Sequence, residues 1–140
     1  MRFRLAGLLI FLSTIAAQAQ TGPCTESAIR KGDLPTAEDA FSYMPPYGKP
    51  AVGKTAIRAA DEKSFSDRTN IQRSWGDDHR IVPSPSADMA YEYGTMQMSY
   101  DSKSEGHHQF QAVILSVYKA SGGVCREVAL TMQPLEEGKQ

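Results

Sequence analysis

Three consecutive strand-like runs in the last third of the chain constrain its fold more than any other feature. They span residues 89–100, 110–119 and 124–132 and are rich in β-branched, aromatic and other apolar side chains. A polar hairpin loop joins the first two runs, and the tight turn Ser121-Gly122-Gly123 joins the last two. Runs connected this closely are expected to pair as neighbouring antiparallel strands of one sheet.

Two short helices are predicted before these strands. One covers residues 24–31 and ends at Gly32, and the other begins at Lys54, where apolar side chains recur at helical spacing. A short strand at 41–44, a loop at 47–53, a partly alternating strand at 71–82 and a turn at 83–86 complete the pattern. Helices followed by hairpin-linked strands predict an α+β fold with an antiparallel sheet.

Residues 1–19 have the features of a secretory signal peptide. The segment begins with two arginines, continues with an apolar run too short to span a bilayer, and ends in the cleavage signal Ala17-Gln18-Ala19. We therefore expect a secreted or periplasmic protein with no membrane attachment after cleavage. Its mature part, residues 20–140, is long enough for a single domain.

The mature chain is mildly acidic. Without Arg2 and Arg4, 13 of the 15 Lys and Arg residues remain beside 16 Asp and Glu residues, so the net charge of the mature chain is −3. This balance gives no electrostatic reason to bind nucleic acid. The two cysteines, Cys24 and Cys125, are expected to form a disulfide bond in an oxidising compartment, although two unpaired thiols are the alternative.

Glu92 is the main candidate for a site residue. Alternation along the strand places it on one face with Ala90, Gly94, Met96 and Met98. Because Ala90 and Gly94 have little or no side chain, this acid faces either a hollow or a closely packed neighbour. Three interpretations of Glu92 stay open. It is the acid of a small-molecule pocket, it pairs with a basic residue such as Arg80 or Arg126, or it faces solvent. Tyr91 and Tyr93 lie on the opposite face, which suits a packing or dimer surface.

His79 is the second candidate. If residues 71–82 form a strand, then Trp75, Asp77 and His79 share a face, and an Asp–His pair beside an aromatic ring is a possible acid/base unit. A surface histidine near a carboxylate is the alternative.

Two other motifs predict no function. Residues 48–55 match the phosphate-binding pattern G-x-x-x-x-G-K-[ST], but the export signal, Pro50 within the loop and the absence of βαβ pattern indicate coincidence. The neighbouring histidines His107 and His108 point to opposite faces of a strand, so no metal site is expected there. No cofactor is expected, and there is no nucleophile elbow.

Two stretches resemble a known family. Residues 43–58 (YMPPYGKPAVGKTAIR) and 86–95 (SADMAYEYGT), followed by two apolar strands and Gln133-Pro134, are similar to the SnoaL-like, nuclear transport factor 2-like superfamily, in its exported bacterial branch of unknown function. The resemblance covers about residues 26–135. It implies a ketosteroid-isomerase-like cone, in which a curved antiparallel sheet wraps around helices and a deep pocket. It also implies possible homodimers through the outer sheet face. On this template the pocket residues are Tyr43, Trp75, Glu92, Met96 and Tyr118.

The sequence departs from that family in two places. The helix before Gly32 is short, so the N-terminal helix is expected to be truncated. The last strand has Cys125-Arg126 and Leu130 where the family has a Trp-Lys start and an acidic residue, which weakens any acid/base role carried over from enzymatic members.

Three functions are consistent with these features. The first is a secreted cone domain that binds a small apolar or partly polar molecule, with Glu92 as its polar anchor. The second is an isomerase- or dehydratase-like enzyme with Glu92 as general base and Tyr43 or His79 polarising the substrate. The third is a homodimeric interaction module with a vestigial pocket.

Overall fold

A computed structural model describes residues 22–44 and 49–135. The predicted signal peptide, Gly48 of the phosphate-loop-like motif and the end of the charged tail lie outside the described residues. The elements are, in chain order, α1 (Glu26–Arg30), β1 (Thr36–Tyr43), β2 (Ala51–Val52), α2 (Lys54–Phe65), β3 (Arg68–Trp75), β4 (Arg80–Pro83), β5 (Met89–Ser102), β6 (Gly106–Ser121) and β7 (Val124–Pro134).

The strands form one mixed sheet in the order β2-β1-β7-β6-β5-β3, with β4 also paired to β5. The predicted hairpins β5–β6 and β6–β7 are antiparallel, but β1 runs parallel to β7, so the expectation of a purely antiparallel sheet is wrong. Hairpin patterns report only on strands that are neighbours in sequence. The pairing of β1 with β7 joins segments about eighty residues apart, on which local patterns carry no information.

The sheet is curved and does not close. Its pairing register shifts at three places: in β1 before Phe41, in β3 between Thr69 and Gln72, and between β6 and β7 at Val117/Tyr118. Such bulges bend strands and increase their twist. The bend gives the sheet a concave inner face, which α2 partly covers. No side chain of α2 is fully buried, so the helix leaves space beneath it.

The predicted disulfide between Cys24 and Cys125 is present. It joins the segment before α1 to the start of β7 and lies in a buried cluster with Ile29, Ile81 and Ala90. A disulfide in a small domain is typical of proteins that function outside the cytoplasm. Within the described residues, no helix is long and apolar enough to cross a membrane.

A second apolar cluster occupies the other half of the inner face. Its buried members are Met98, Ala112, Ile114 and Met132, with Trp75, Met96, Phe110 and Leu130 packed around them. The two clusters are separated along β5 and β6 by polar side chains, and these form the candidate site.

Candidate functional site

Glu92 lies on the inner face of β5 and is 8% exposed. Its position follows from strand alternation, since Ala90 and Gly94 beside it are also buried. The solvent-facing interpretation is therefore wrong. Neither predicted basic partner binds it: the Arg80 guanidinium donates to the backbone carbonyls of Asp77 and His79 instead.

Both carboxylate oxygens of Glu92 accept hydrogen bonds. His79 Nε2 lies 2.8 Å from Oε1, and the Tyr118 hydroxyl donates to Oε2 at 2.7 Å. An ionised carboxylate only accepts, so with Glu92 in that form the proton of the first bond is on Nε2. Burial of the Tyr118 phenol raises its pKa far above the ordinary value, and the nearby Glu92 carboxylate adds to the shift, so Tyr118 remains a donor throughout the physiological range.

Gly94 allows His79 to reach Glu92. A Cβ at position 94 would lie 2.8 Å from the Cα of His79, so the turn before β4 crosses directly over this glycine. From the sequence, the small residues beside Glu92 face either a hollow or a closely packed neighbour. At Gly94 the structure shows a closely packed neighbour, the backbone of His79.

The predicted continuous strand over residues 71–82 is wrong, since β3 ends at Trp75; Trp75 and His79 nevertheless come together, and Asp77 does not join them. The two rings stack with centroids 4.1 Å apart and an interplanar angle of 5°. Residues 76–79 form a turn rather than a continuous strand, and this turn directs His79 towards Glu92 instead of Asp77. The carboxylate partner of His79 is thus thirteen residues away in sequence.

Glu127 is a second inward-facing acid, which the sequence reasoning missed. In the register of β6 and β7, Glu127 is the cross-strand neighbour of Tyr118. Burial raises the pKa of Glu127, and the charges of Glu92 and Asp61 raise it further, while the neighbouring Ser116 hydroxyl lowers it in part. Strict alternation along β7 from the buried Cys125 predicts that Glu127 faces inward as well. Leu130 is three residues further on and would face outward by the same rule, but the register shift after Glu127 returns it to the inner face.

A cavity of about 240 Å³ lies between α2 and the inner face of the sheet. Its lining is mainly apolar and includes Met44, Trp75, Met96, Phe110, Leu130 and Met132. The polar lining residues are Asp61, Ser64, Arg68, Arg73 and Ser116. The cavity adjoins the Glu92 group in two places, since Trp75 stacks on His79 and Ser116 is the cross-strand neighbour of Glu92.

The pocket residues implied by the family resemblance occupy three kinds of position. Trp75 and Met96 line the cavity, whereas Glu92 and Tyr118 form the hydrogen-bonded group beside it. Tyr43, the last residue of β1, is 38% exposed and does not line the cavity, because alternation turns Ser42 inward instead. On the outer face Tyr91 and Tyr93 are 44% and 41% exposed.

The paired histidines at the β5–β6 hairpin have separate partners. His107 Nδ1 is 2.8 Å from an Asp101 oxygen, and His108 Nε2 is 3.3 Å from a Glu105 oxygen. Across the described ranges no three His, Cys, Asp or Glu side chains are grouped as metal ligands.

Comparison with solved structures identifies the fold. A ketosteroid isomerase-like protein from Erwinia carotovora atroseptica superposes with a TM-score of 0.61 and 16% identity, covering 79% of this chain and 87% of that one. A protein with a cystatin-like fold from Caulobacter vibrioides gives 0.59 and 12% identity over 78% and 76%. The hexachlorocyclohexane dehydrochlorinase LinA-type3 from Novosphingobium barchaimii gives 0.57 and 16% identity over 73% of each chain.

No protein-family model and no curated protein matches the sequence. At these identities, the structural likenesses establish architecture and not activity. The chain has the cone fold of the SnoaL-like, nuclear transport factor 2-like superfamily, as its sequence resemblance predicted. Truncation of its N-terminal helix relative to that superfamily stays a prediction.

Proposed function

We propose that this cone domain binds a small, mainly apolar molecule in the cavity between α2 and the sheet, in an extracytoplasmic compartment. The observation that carries the proposal is the cavity itself. Most of its walls are hydrocarbon, and contact between such walls and water is unfavourable. A ligand that fills it replaces that contact, which gives a driving force for binding.

The size of the cavity sets the size of the ligand. Its volume of about 240 Å³ corresponds to roughly eight water molecules at ~30 Å³ each. An apolar cavity holds water poorly, so a compact aliphatic or aromatic molecule is the better occupant. The Ser116 hydroxyl offers one polar contact on the side of Glu92.

Trp75 makes this proposal directly testable, because it is the one tryptophan of the chain and lines the cavity. We expect titration with 1-octanol to change its fluorescence saturably. Leu130→Phe, which fills the cavity, should abolish the change. Leu115→Phe is the matched control on the exposed outer face of β6 and should leave it intact. No saturable response, or equal binding by the Leu130 variant, would overturn the proposal.

Native mass spectrometry of protein purified from its own host gives an independent measurement. A retained compound of small mass, present in wild type and lost in Leu130→Phe, would identify the natural ligand.

Proton transfer is a second candidate function, and the Glu92 hydrogen bonds favour it. Glu92 orients His79 through Nε2, while His79 Nδ1 has no hydrogen-bond partner among the described residues. His79 Nδ1 would then take a proton from the α-carbon of a bound ketone, leaving the electron pair in the enolate, and would return a proton to that carbon. The Tyr118–Glu92 bond would hold the carboxylate in place. The test is deuterium exchange into a small bound ketone in D₂O. Exchange that is unchanged in His79→Gln would eliminate this role.

A homodimer through the outer face stays a prediction. The exposed Tyr91 and Tyr93 rings, with centroids 5.9 Å apart, are the observation in its favour. Sedimentation equilibrium of wild type and Tyr91→Ser/Tyr93→Ser tests it, with a monomeric wild type as the contrary result.

A further inference from the structure

Two arginines line the cavity and lack an acidic partner. Arg68 and Arg73 both lie on β3, and in the described part of the chain no carboxylate oxygen is within 4.0 Å of either guanidinium. Arg73 is exposed and Arg68 is half-buried, whereas the lining residues Ile114 and Met132 are buried. The arginines therefore mark the solvent end of the cavity and the apolar side chains its inner end.

Aromatic rings hold the two guanidinium groups. Arg68 lies over the Tyr100 ring at 4.2 Å and over Phe65 at 5.5 Å, and Arg73 lies over the same Phe65 ring at 5.4 Å. A cation–π contact acts through the charge of the guanidinium and uses none of its N–H donors. Neither group donates a hydrogen bond to another described side chain. Both are thus positioned cations with free donors.

We infer that the ligand is an apolar carboxylic acid, bound as its carboxylate between Arg68 and Arg73 with its hydrocarbon part in the cavity. This inference rests on the proposed function and specifies its ligand class. The planar guanidinium fork matches the two oxygens of a carboxylate. An apolar body with one anionic end suits a cavity whose inner walls are hydrocarbon and whose outer edge is cationic.

Among the described residues Asp61 is the one carboxylate that lines the cavity, so their side chains contribute two basic groups against one acidic group. Burial raises the pKa of Asp61, against the charge of Arg73, which lowers it. A ligand carboxylate at the arginines would be repelled by ionised Asp61. Asp61 should therefore weaken binding of anions without affecting neutral ligands.

The adjoining surface recess continues the positive field. It shares Arg68 with the cavity and adds Lys49 and Lys63, against Asp67 and Glu105. The described lining of this recess thus carries three basic side chains against two acidic ones. Oxyanions approaching the opening would meet an excess of positive charge.

The test compares octanoate with 1-octanol, with Trp75 fluorescence as the readout. We expect octanoate to bind at least tenfold more tightly than 1-octanol at pH 7. Arg73→Gln and Arg68→Gln should each weaken octanoate binding about tenfold and leave 1-octanol binding unchanged, since each removes charge-assisted hydrogen bonds. Asp61→Asn should tighten octanoate binding several-fold.

Arg58→Gln is the matched control, because Arg58 lies on the exposed side of α2 and pairs with Glu62. It removes the same charge and should leave both affinities unchanged. Urea midpoints show whether each variant is folded. If octanoate binds no better than 1-octanol, or if Arg58→Gln weakens it as much as Arg73→Gln, the carboxylate inference is overturned while cavity binding stands. If neither compound binds, both proposals fail.

Discussion

The indole ring of Trp75 stacks on the imidazole ring of His79, with centroids 4.1 Å apart and planes 5° from parallel. Trp75 lines the cavity, and His79 is hydrogen-bonded to the buried Glu92. This stack is therefore the structural link between the apolar space and the buried carboxylate. A change on either side of the stack should be visible in the spectrum of Trp75.

Replacing His79 should change Trp75 fluorescence. His79→Leu removes the stacked imidazole and its hydrogen bond to Glu92, so we expect a stronger emission with a shifted maximum. His107→Leu is the control, since His107 lies at the exposed hairpin and contacts Asp101. Identical spectra for wild type and His79→Leu would contradict the observed stacking.

Tyr118→Phe should destabilise the protein. The substitution removes the hydroxyl that donates to Glu92 Oε2 and leaves a buried carboxylate oxygen without that partner. Hydrogen bonds to charged groups contribute roughly 1.5–3 kcal/mol, so we expect a loss of that size in the free energy of unfolding. Tyr91→Phe, on the exposed outer face, should change it by less than about 0.5 kcal/mol. Urea denaturation measures both, and equal values would show that the hydrogen bond contributes nothing.

Gly94→Ala should displace His79. The added Cβ would approach the His79 Cα to 2.8 Å, and φ at this position is +155°, which side chains rarely adopt. Overpacking of this kind costs roughly 1–3 kcal/mol. Gly32→Ala is the control, because Gly32 has a positive φ of 78° but open space around it. We expect only the Gly94 variant to alter Trp75 fluorescence, and an unaltered spectrum would be the contrary outcome.

Glu127→Gln should remove a pH dependence of stability. In an unfolded chain this glutamate titrates near 4.5, and burial raises its pKa in the folded protein. The folded state therefore holds the proton more tightly. The contribution of Glu127 to stability is most favourable below pH 4.5 and declines as pH rises to the folded pKa. We expect the variant to be more stable than wild type at pH 7 and to lack this decline.

The measurement for Glu127 is the difference between the two unfolding curves across pH 4 to 8. The comparison uses the difference between variant and wild type because other carboxylates also titrate in this range. Hydrogen bonds from Thr95 lower the pKa of Asp78, and hydrogen bonds from Ser84 and Ser86 lower the pKa of Asp88. Those two carboxylates favour the folded state as pH rises, and their effect cancels between wild type and variant. Glu62→Gln serves as an exposed control. A difference that stays constant with pH would contradict the prediction.

Loss of the disulfide should be strongly destabilising. Cys24 and Cys125 are separated by 101 positions, and on the chain-entropy model a loop of this length is worth roughly 4–5 kcal/mol. The Cys24→Ser/Cys125→Ser variant should lower the urea midpoint by a corresponding amount. Wild type in reducing agent should match the variant, while a midpoint independent of both treatments would rule out this stabilisation.

The sequence by itself determined the features that depend on local patterns. The period of two in residues 89–132 and the turns between its runs predict β5, β6 and β7 and their antiparallel pairing. The same alternation places Glu92 and the two tyrosines Tyr91 and Tyr93 on opposite faces, and the structure shows that the Glu92 face is the buried one. The helical spacing from Lys54 predicts α2, and cysteine count and compartment predict the disulfide. Each of these follows from residues close in sequence or from simple counting.

Tertiary structure alone decided the contacts between distant segments. The parallel pairing of β1 with β7 and the choice of Glu92 over Asp77 as the partner of His79 depend on turns and bulges. So does the return of Leu130 to the inner face after Glu127. The same holds for Arg68, whose guanidinium lies over the ring of Tyr100 on a different strand at the cavity. A bulge or a crossing turn changes which face a side chain occupies, and its position is set by non-local packing energies that no local pattern contains.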